Sequence, residues 1–354
     1  MTIRDATRTA ALALLAALVP APAAVAAGPK YAIESKPSRR VEATLTLAIS
    51  APQLKADEWD VFVPKIPALP CQSAVSSAAR PEGREVAEGS PRHQPVLEVI
   101  VAATTGELAK ALTVEARYTA TLIARRLVEL KPGDAPAKVA PLTANERVLS
   151  LRASAEHFDF ETPEFRAWLA DRGLARGEGE PDVDYARRVF LAIKKEFSYH
   201  YTNKLDRHAT AVCKAGKSDC GGLSVVFTSA MRAHGIPARL LVGRWAFDGG
   251  EGGGPAGNQE HVKAEFYADG VGWVPVDCSS AILHDKEPEG LTYFGTDAGD
   301  FIVHHLDLDL EIPSHRFGKQ TMMVLQIPPW WVRGSGQLAG VTSVVSWKVA
   351  DLHE

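Results

Sequence analysis

The hydrophobic period of this 354-residue chain changes once, and that change limits what it can fold into. From residue 30 to about residue 135, apolar and polar residues alternate. Val41-Glu-Ala-Thr-Leu-Thr-Leu-Ala-Ile49 does so, as do Asp60-Val-Phe-Val63, Val96-Leu-Glu-Val-Ile-Val101 and Tyr118-Thr-Ala-Thr-Leu-Ile123. Side chains on a strand point alternately to its two faces, so a period of two predicts half-buried β-strands. Pro, Gly and Ser cluster between them, notably from Pro67 to Pro95, and short strands separated by turn signals predict a β-sandwich. Lys131 to Pro141 reads as a linker. From about Thr143 apolar residues recur every three or four positions. Val148, Leu149, Leu151 and Ala155 do so, and Tyr185, Val189, Phe190 and Ile193 fall on one face of a helix that Asp182 or Asp184 can cap. The expected class is α+β.

The first 27 residues stand outside this pattern. Arg4 and Arg8 precede an apolar run from Thr9 to Val19, Pro20 and Pro22 break any helix, and Ala24-Val25-Ala26 is a small-x-small cleavage pattern. That layout predicts a cleavable secretory signal and a secreted or periplasmic protein. No internal stretch has the roughly 18 to 20 apolar residues of a membrane helix. The formal charge of −4 argues against a general nucleic-acid binder, which carries a basic face. Four cysteines are too few to build a disulfide scaffold, so packing must hold the fold.

The chemistry is concentrated between Lys214 and Ser280. In Asp219-Cys-Gly-Gly-Leu223 and beyond, Leu223, Val226, Phe227, Ala230 and Met231 repeat at helical spacing. Gly235 and Pro237 then supply a stop, so a helix runs from about Cys220 to His234. Cys220 thus sits in the first helical turn, where free N–H groups and partial positive charge favour thiolate and can hold an oxyanion. Further on, His261 opens a strand in which Val262, Ala264 and Phe266 alternate with polar residues or Tyr267. Asp269-Gly270 signals a tight turn, and Gly272-Trp-Val-Pro-Val-Asp277 forms the returning strand. A hairpin closing midway between His261 and Asp277 puts the two side by side at its open end. There the carboxylate can fix the imidazole tautomer. With Cys220 packed against that end, a Cys-His-Asp arrangement for nucleophilic catalysis results.

Three segments resemble the transglutaminase-like superfamily of papain-like thiol enzymes, in its bacterial secreted form. They are the Cys-Gly-Gly helix ending in Arg232-Ala-His-Gly-Ile-Pro-Ala-Arg239, the strand His261-Val-Lys-Ala-Glu-Phe266, and Gly272-Trp-Val-Pro-Val-Asp277. Phe197-Ser-Tyr199 after a helix also fits, and the likeness spans roughly residues 145 to 285. The resemblance implies Cys220 as nucleophile, His261 as general base and acid, and Asp277 as orienting carboxylate. It also implies a core in which the cysteine helix packs on an antiparallel sheet. Cys278 stands where the family often has proline, and on an extended strand it would point away from Asp277. The glycine-rich loop Asp248 to Gly257 lacks the alternating carboxylates of a calcium loop, so no metal and no cofactor is expected.

The resulting plan is a signal over 1–27, a β-rich, immunoglobulin-like sandwich over 28–135, and a transglutaminase-like catalytic domain with a C-terminal extension over 143–354. Gly221 and Gly222 are read as giving substrate close approach, and Tyr199 as a residue that can line the site. Trp273 is assigned to the core, and Pro328-Pro-Trp-Trp331 to anchoring of the C-terminal segment. Of the remaining thiols, Cys213 and Cys278 are the pair expected to bond, while a Cys213–Cys220 bond would act as a redox lock. The expected activity is thiol-dependent acyl transfer on peptide or protein amides, with hydrolysis favoured over cross-linking. A non-catalytic binding protein on the same fold is the alternative. The partner is a peptide or protein substrate, and the β-rich part is a candidate for docking to a partner or envelope component.

Overall fold

The computed structural model describes residues 30–134, 138–202, 204–248 and 259–353. The signal-like segment 1–27 and nearly all of the glycine-rich loop lie outside them. Six strands come first: β1 (Tyr31–Ser50), β2 (Leu54–Pro64), β3 (Gln72–Arg80), β4 (Arg84–Ala87), β5 (Pro95–Ala102) and β6 (Ala111–Glu129). Then follow α1 (Ala144–Leu149), α2 (Pro163–Asp171), α3 (Asp182–Glu196), β7 (Ser198–Tyr199), α4 (Ala209–Ala215), β8 (Lys217–Ser218) and α5 (Cys220–Ala233). Next come β9 (Ala238–Trp245), β10 (Glu260–Ala268), β11 (Gly272–Val276) and α6 (Cys278–His284). The chain closes with β12 (Thr296–Asp297), β13 (Phe301–Leu306), β14 (Leu310–Ser314), β15 (Gly318–Met322), β16 (Trp330–Gly336) and β17 (Thr342–Asp351). The architecture is α+β, with a β-rich N-terminal part and a cysteine-bearing helix packed on sheet.

The alternation in the N-terminal part buries one face of each strand. Val41, Ala43, Leu45, Leu47 and Ile49 of β1 and Val114, Ala116, Tyr118, Ala120 and Leu122 of β6 share one core with Trp59, Val61 and Val63 of β2 and with Leu97 and Val99 of β5. These strands belong to two sheets, one ordered β12-β6-β1-β17 with β3 also on β6, the other β16-β2-β5-β4. Both sheets are completed by distant chain: β17 pairs with β1, β16 with β2 and β12 with β6. The sequence plan placed all three with the catalytic half. β17 does alternate, with Val345, Trp347 and Val349 against the β-rich core, but alternation marks a buried face and not a partner strand, and β16 is mostly exposed. Trp330 packs against Trp59 at 5.8 Å between ring centroids, and Trp331 meets Phe62 edge-on at 5.9 Å. The Pro-Pro-Trp-Trp segment therefore anchors the returning chain.

The second part is built on the sheet β11-β10-β9-β13. Helix α5 packs on β10 and β9 and is buried on nearly every side, as an apolar helix with small polar residues must be. Leu223, Val226, Phe227, Ala230 and Met231 meet Val262, Ala264 and Phe266 in one core, with α3 supplying Tyr185, Val189, Phe190 and Ile193. Asp182 and Asp184 lie inside the first turn of α3; Pro181 holds the N-cap position.

Buried charge ties the two parts together. Arg125 of β6 donates to Glu265 of β10 at 2.8 Å and to Asp297 of β12 at 3.1 Å, and all three are buried. Arg239 of β9 bonds the other oxygen of Glu265 at 2.8 Å and reaches Glu146 of α1 at 2.9 Å, with its guanidinium 3.8 Å from the centroid of Trp273. Burial alone would raise the Glu265 pKa, but the two arginines outweigh it and hold the carboxyl below its usual range. Charges removed from water need such partners, and Glu265 has two.

Candidate active site

Cys220 is the first residue of α5 and is partly exposed. The preceding Asp219 is extended and caps the helix, its carboxylate accepting the Gly222 N–H at 3.1 Å. Arg207 donates through Nε to both oxygens of that carboxylate at 3.0 Å, which compensates the negative charge placed beside the thiol. Strands β7 and β8 run parallel, with Tyr199 level with Ser218, two residues before Cys220. Tyr199 is half-buried. Burial, and then the neighbouring Cys220, push its phenol pKa up to about 12.

His261 lies on β10 opposite Gly243 of β9. A Cβ at Gly243 would stand 1.9 Å from the Ile302 carbonyl oxygen, so only glycine lets β13 run this close. The hairpin register differs from the one expected. Ala264 pairs with Val276 and Ala268 with Gly272, so Lys263, not His261, is level with the position that Asp277 would continue. The offset is an even number of residues, so the side chains keep their face and meet diagonally. A bond closes the gap: His261 Nε2 donates to Asp277 Oδ2 at 2.8 Å.

Cys278 is not on an extended strand. β11 ends at Val276, and Asp277 turns the chain to become the N-cap of α6. Its Oδ1 accepts the Ser280 N–H at 2.9 Å and the Ser279 hydroxyl at 3.0 Å, and its Oδ2 accepts the Ser280 hydroxyl at 2.8 Å. Burial would raise the Asp277 pKa, but the charge and hydrogen bond of His261, then Lys263 and the Ser280 N–H, hold it well below the carboxylate range. The imidazole moves the other way. Burial would lower its pKa, yet the Asp277 carboxylate and the hydrogen bonding and charge of the Cys220 side chain lift it to about 9. The Cys220 side chain thus lies within interaction range of His261, and His261 within bonding range of Asp277.

Several residues around the site were not singled out in the sequence. Trp245 stacks on the His261 ring at 4.6 Å with planes 25° apart, and Phe301 meets it edge-on at 6.0 Å. Lys263 lies over the same two rings, at 4.3 and 4.8 Å. Gln326 donates to the carbonyl oxygens of both His261 (2.9 Å) and Gly243 (2.7 Å). Asp219 and the pair Ser279-Ser280 carried a legible signal, being an Asp before a helix and serines just after an Asp. Trp245, Phe301, Arg207 and Gln326 reach the site only through tertiary packing.

The structure gives the glycines a different weight. A Cβ on Gly222 would meet Ser218 Oγ at 2.1 Å, so the protein's own packing requires that glycine. At Gly221 a Cβ would make only ordinary contacts, 3.4 Å from Arg207 Cδ. All four cysteines are free, so the expected Cys213–Cys278 bond is not formed, nor is the Cys213–Cys220 lock. Cys213 is held in α4 and Cys278 in α6, and burial pushes both thiols well above the usual range. Neither helix can shift to pair them without opening the apolar core both occupy.

Residues 171–278 match the transglutaminase-like superfamily, a range that contains Cys220, His261 and Asp277. Over that range the chain is similar to this superfamily, and its fold is α+β with the cysteine-bearing helix packed on sheet. The same fold is found in a crystal structure described as a candidate cysteine protease from Cytophaga hutchinsonii, with TM-score 0.54 and 12% identity over 91% of this chain and 93% of that one. The periplasmic domain of TgpA from Pseudomonas aeruginosa aligns at 14% identity over 72% of this chain and 91% of that one, with TM-score 0.35. No curated protein matches the chain. Among the described residues no helix is long and apolar enough to cross a membrane.

Proposed function

We propose that the protein is an exported thiol enzyme that transfers acyl groups from peptide or protein amides, with water as the usual acceptor. The observation that carries this reading is the His261–Asp277 hydrogen bond of 2.8 Å beside the helix-start thiol of Cys220. Cys220 attacks the amide carbon as the thiolate, its proton already held by the imidazole. The oxyanion takes N–H groups of the first turn of α5, those of Cys220 and Gly221, which precede the Gly222 N–H already held by Asp219. With its pKa near 9, His261 carries a proton at neutral pH and gives it to the leaving amine. A thioester and a free amine result. His261, now neutral, takes a proton from water as its oxygen attacks the thioester; the acyl group leaves as a carboxylic acid, and Cys220 is restored as a thiolate beside the reprotonated imidazole.

Asp277 keeps Nε2 as the donor side of the ring, which turns Nδ1 toward the thiol. Trp245 stacks on one face of that ring and holds its plane. The signal-like first 27 residues support export. In the test, the mature protein is incubated with unstructured protein and peptide substrates, with Cys220→Ser as control. New peptide termini that depend on Cys220 support hydrolysis. Cys220-dependent incorporation of an added primary amine without new termini indicates cross-linking. No Cys220-dependent product of either kind leaves a non-catalytic binding protein.

A further inference from the structure

On the outer face of the second β-rich sheet, away from the site above, two carboxylates are buried without an obvious reason. The side chains of Trp59, Val61 and Val63 face the sandwich core, so Asp60 and Phe62 point the other way, under the β14–β15 hairpin. Asp60 pairs with Ile100 and Phe62 with Glu98, which makes Asp60 and Glu98 diagonal neighbours on this outer face. Their exposures are 0% and 1%. The hairpin turn brings His315 over them, and Asp60, Glu98 and His315 each offer an atom within 4.8 Å of those of the other two.

The surrounding donors engage only part of this cluster. Arg84 Nε holds Glu98 Oε2 at 2.6 Å, and the Ser314 hydroxyl donates to Asp60 Oδ2. Asp60 Oδ1 is buried and has no hydrogen-bond partner. His315 Nδ1 lies 3.3 Å from Glu98 Oε1, and its Nε2 lies 3.9 Å from Glu58 Oε1, itself held by Arg316 at 3.0 Å. Asp60 Oδ2 and Glu98 Oε2 are thus each steadied by a side-chain donor. Asp60 Oδ1 is unpartnered, and Glu98 Oε1 takes only the longer approaches of His315, its N–H at 3.4 Å included. Glu58 lies on the far side of the imidazole, where a carboxylate sits behind many metal-ligating histidines. His315 is exposed, which gives an ion a way in.

We propose that Asp60, Glu98 and His315 bind one divalent transition-metal ion, of the zinc or manganese class, that pins the β14–β15 hairpin to the β-rich sheet. Two carboxylates and one imidazole suit these ions, with water completing the shell. The ligands come from three separate stretches of sequence, so no spacing motif marks them, and the sequence alone suggested no metal. The segment leaving this hairpin carries Gln326, which bonds His261 and Gly243, so the ion would also steady the chain beside the proposed active site.

The test uses the mature chain carrying Cys220→Ser, so that no reactive thiol competes. It is dialysed against zinc and, separately, manganese, and the bound metal is counted by mass spectrometry. One equivalent per chain is expected, with affinity falling at least about 10-fold in His315→Ala and in Asp60→Asn. His315 is on an exposed turn, so its variant should fold normally even if the Asp60 variant does not. Absence of stoichiometric metal in the parent overturns the proposal, as does equal affinity in parent and His315→Ala.

Discussion

Replacing Asp277 by Asn tests how the site sets its proton inventory. The carboxylate accepts four hydrogen bonds: His261 Nε2 and the Ser280 hydroxyl on Oδ2, the Ser279 hydroxyl and the Ser280 N–H on Oδ1. An asparagine has one acceptor oxygen. If it keeps the helix cap, its NH2 faces the Nε2–H of His261 and cannot accept it. The His261 pKa rises from 6.5 to about 9 against the opposing effect of burial. The lift corresponds to about 3 kcal/mol, of which Asp277 supplies the larger share and Cys220 the rest, so losing the carboxylate should move the midpoint well below 9. The assay is an NMR pH titration of the His261 ring, paired with the pH dependence of Cys220 alkylation. At pH 8 the wild-type ring should be largely protonated and the variant ring clearly less so. A variant midpoint still near 9 refutes the assignment of the shift to Asp277.

Three further outcomes follow from the same interactions. The His261 contribution to stability is complete below its unfolded pKa of about 6.5 and is lost as pH rises through about 9. The Asp277 contribution is present above the ordinary Asp pKa and is lost as pH falls below it. Urea midpoints measured across pH should therefore decline at both ends, and in His261→Ala the alkaline decline should weaken. Arg125→Ala leaves Glu265 and Asp297 buried with one cation fewer, and should cost about 3–5 kcal/mol in urea unfolding, more than Arg117→Ala on the exposed face of β6. Gly222→Ala forces a Cβ against Ser218 and should cost about 1–3 kcal/mol, with Gly221→Ala milder; equal losses would contradict the packing argument.

Local chemistry was the legible part of this chain. Gly235 and Pro237 mark the end of α5, so the position of Cys220 at its start could be read directly, and the helix indeed runs Cys220–Ala233. Asp269-Gly270 located the β10–β11 turn, but not the pairing on which the diagonal contact of His261 with Asp277 depends. A sequence states which face a residue occupies more firmly than which residue it opposes, because a two-residue slip preserves the face and only the turn geometry resolves it. Asp277 was read as a strand residue, although Ser279 and Ser280 just after it are what an N-cap aspartate bonds. The pairing of β16 and β17 with β2 and β1 was hidden for a different reason. It joins segments some three hundred residues apart, and the alternation of Val345, Trp347 and Val349 tells which face of β17 is buried but not which strand it joins.

The central claim is that Cys220 is a thiol activated by its place beside His261, while Cys71, Cys213 and Cys278 are packing residues. Brief treatment of the native protein with iodoacetamide at pH 7, followed by peptide mapping, separates the two kinds. Cys220 should be labelled well ahead of the three buried thiols and faster than a free thiol, and His261→Ala should slow it while leaving the fold intact by circular dichroism. Labelling of Cys220 at the rate of a free thiol, or a rate unchanged by His261→Ala, would contradict the account.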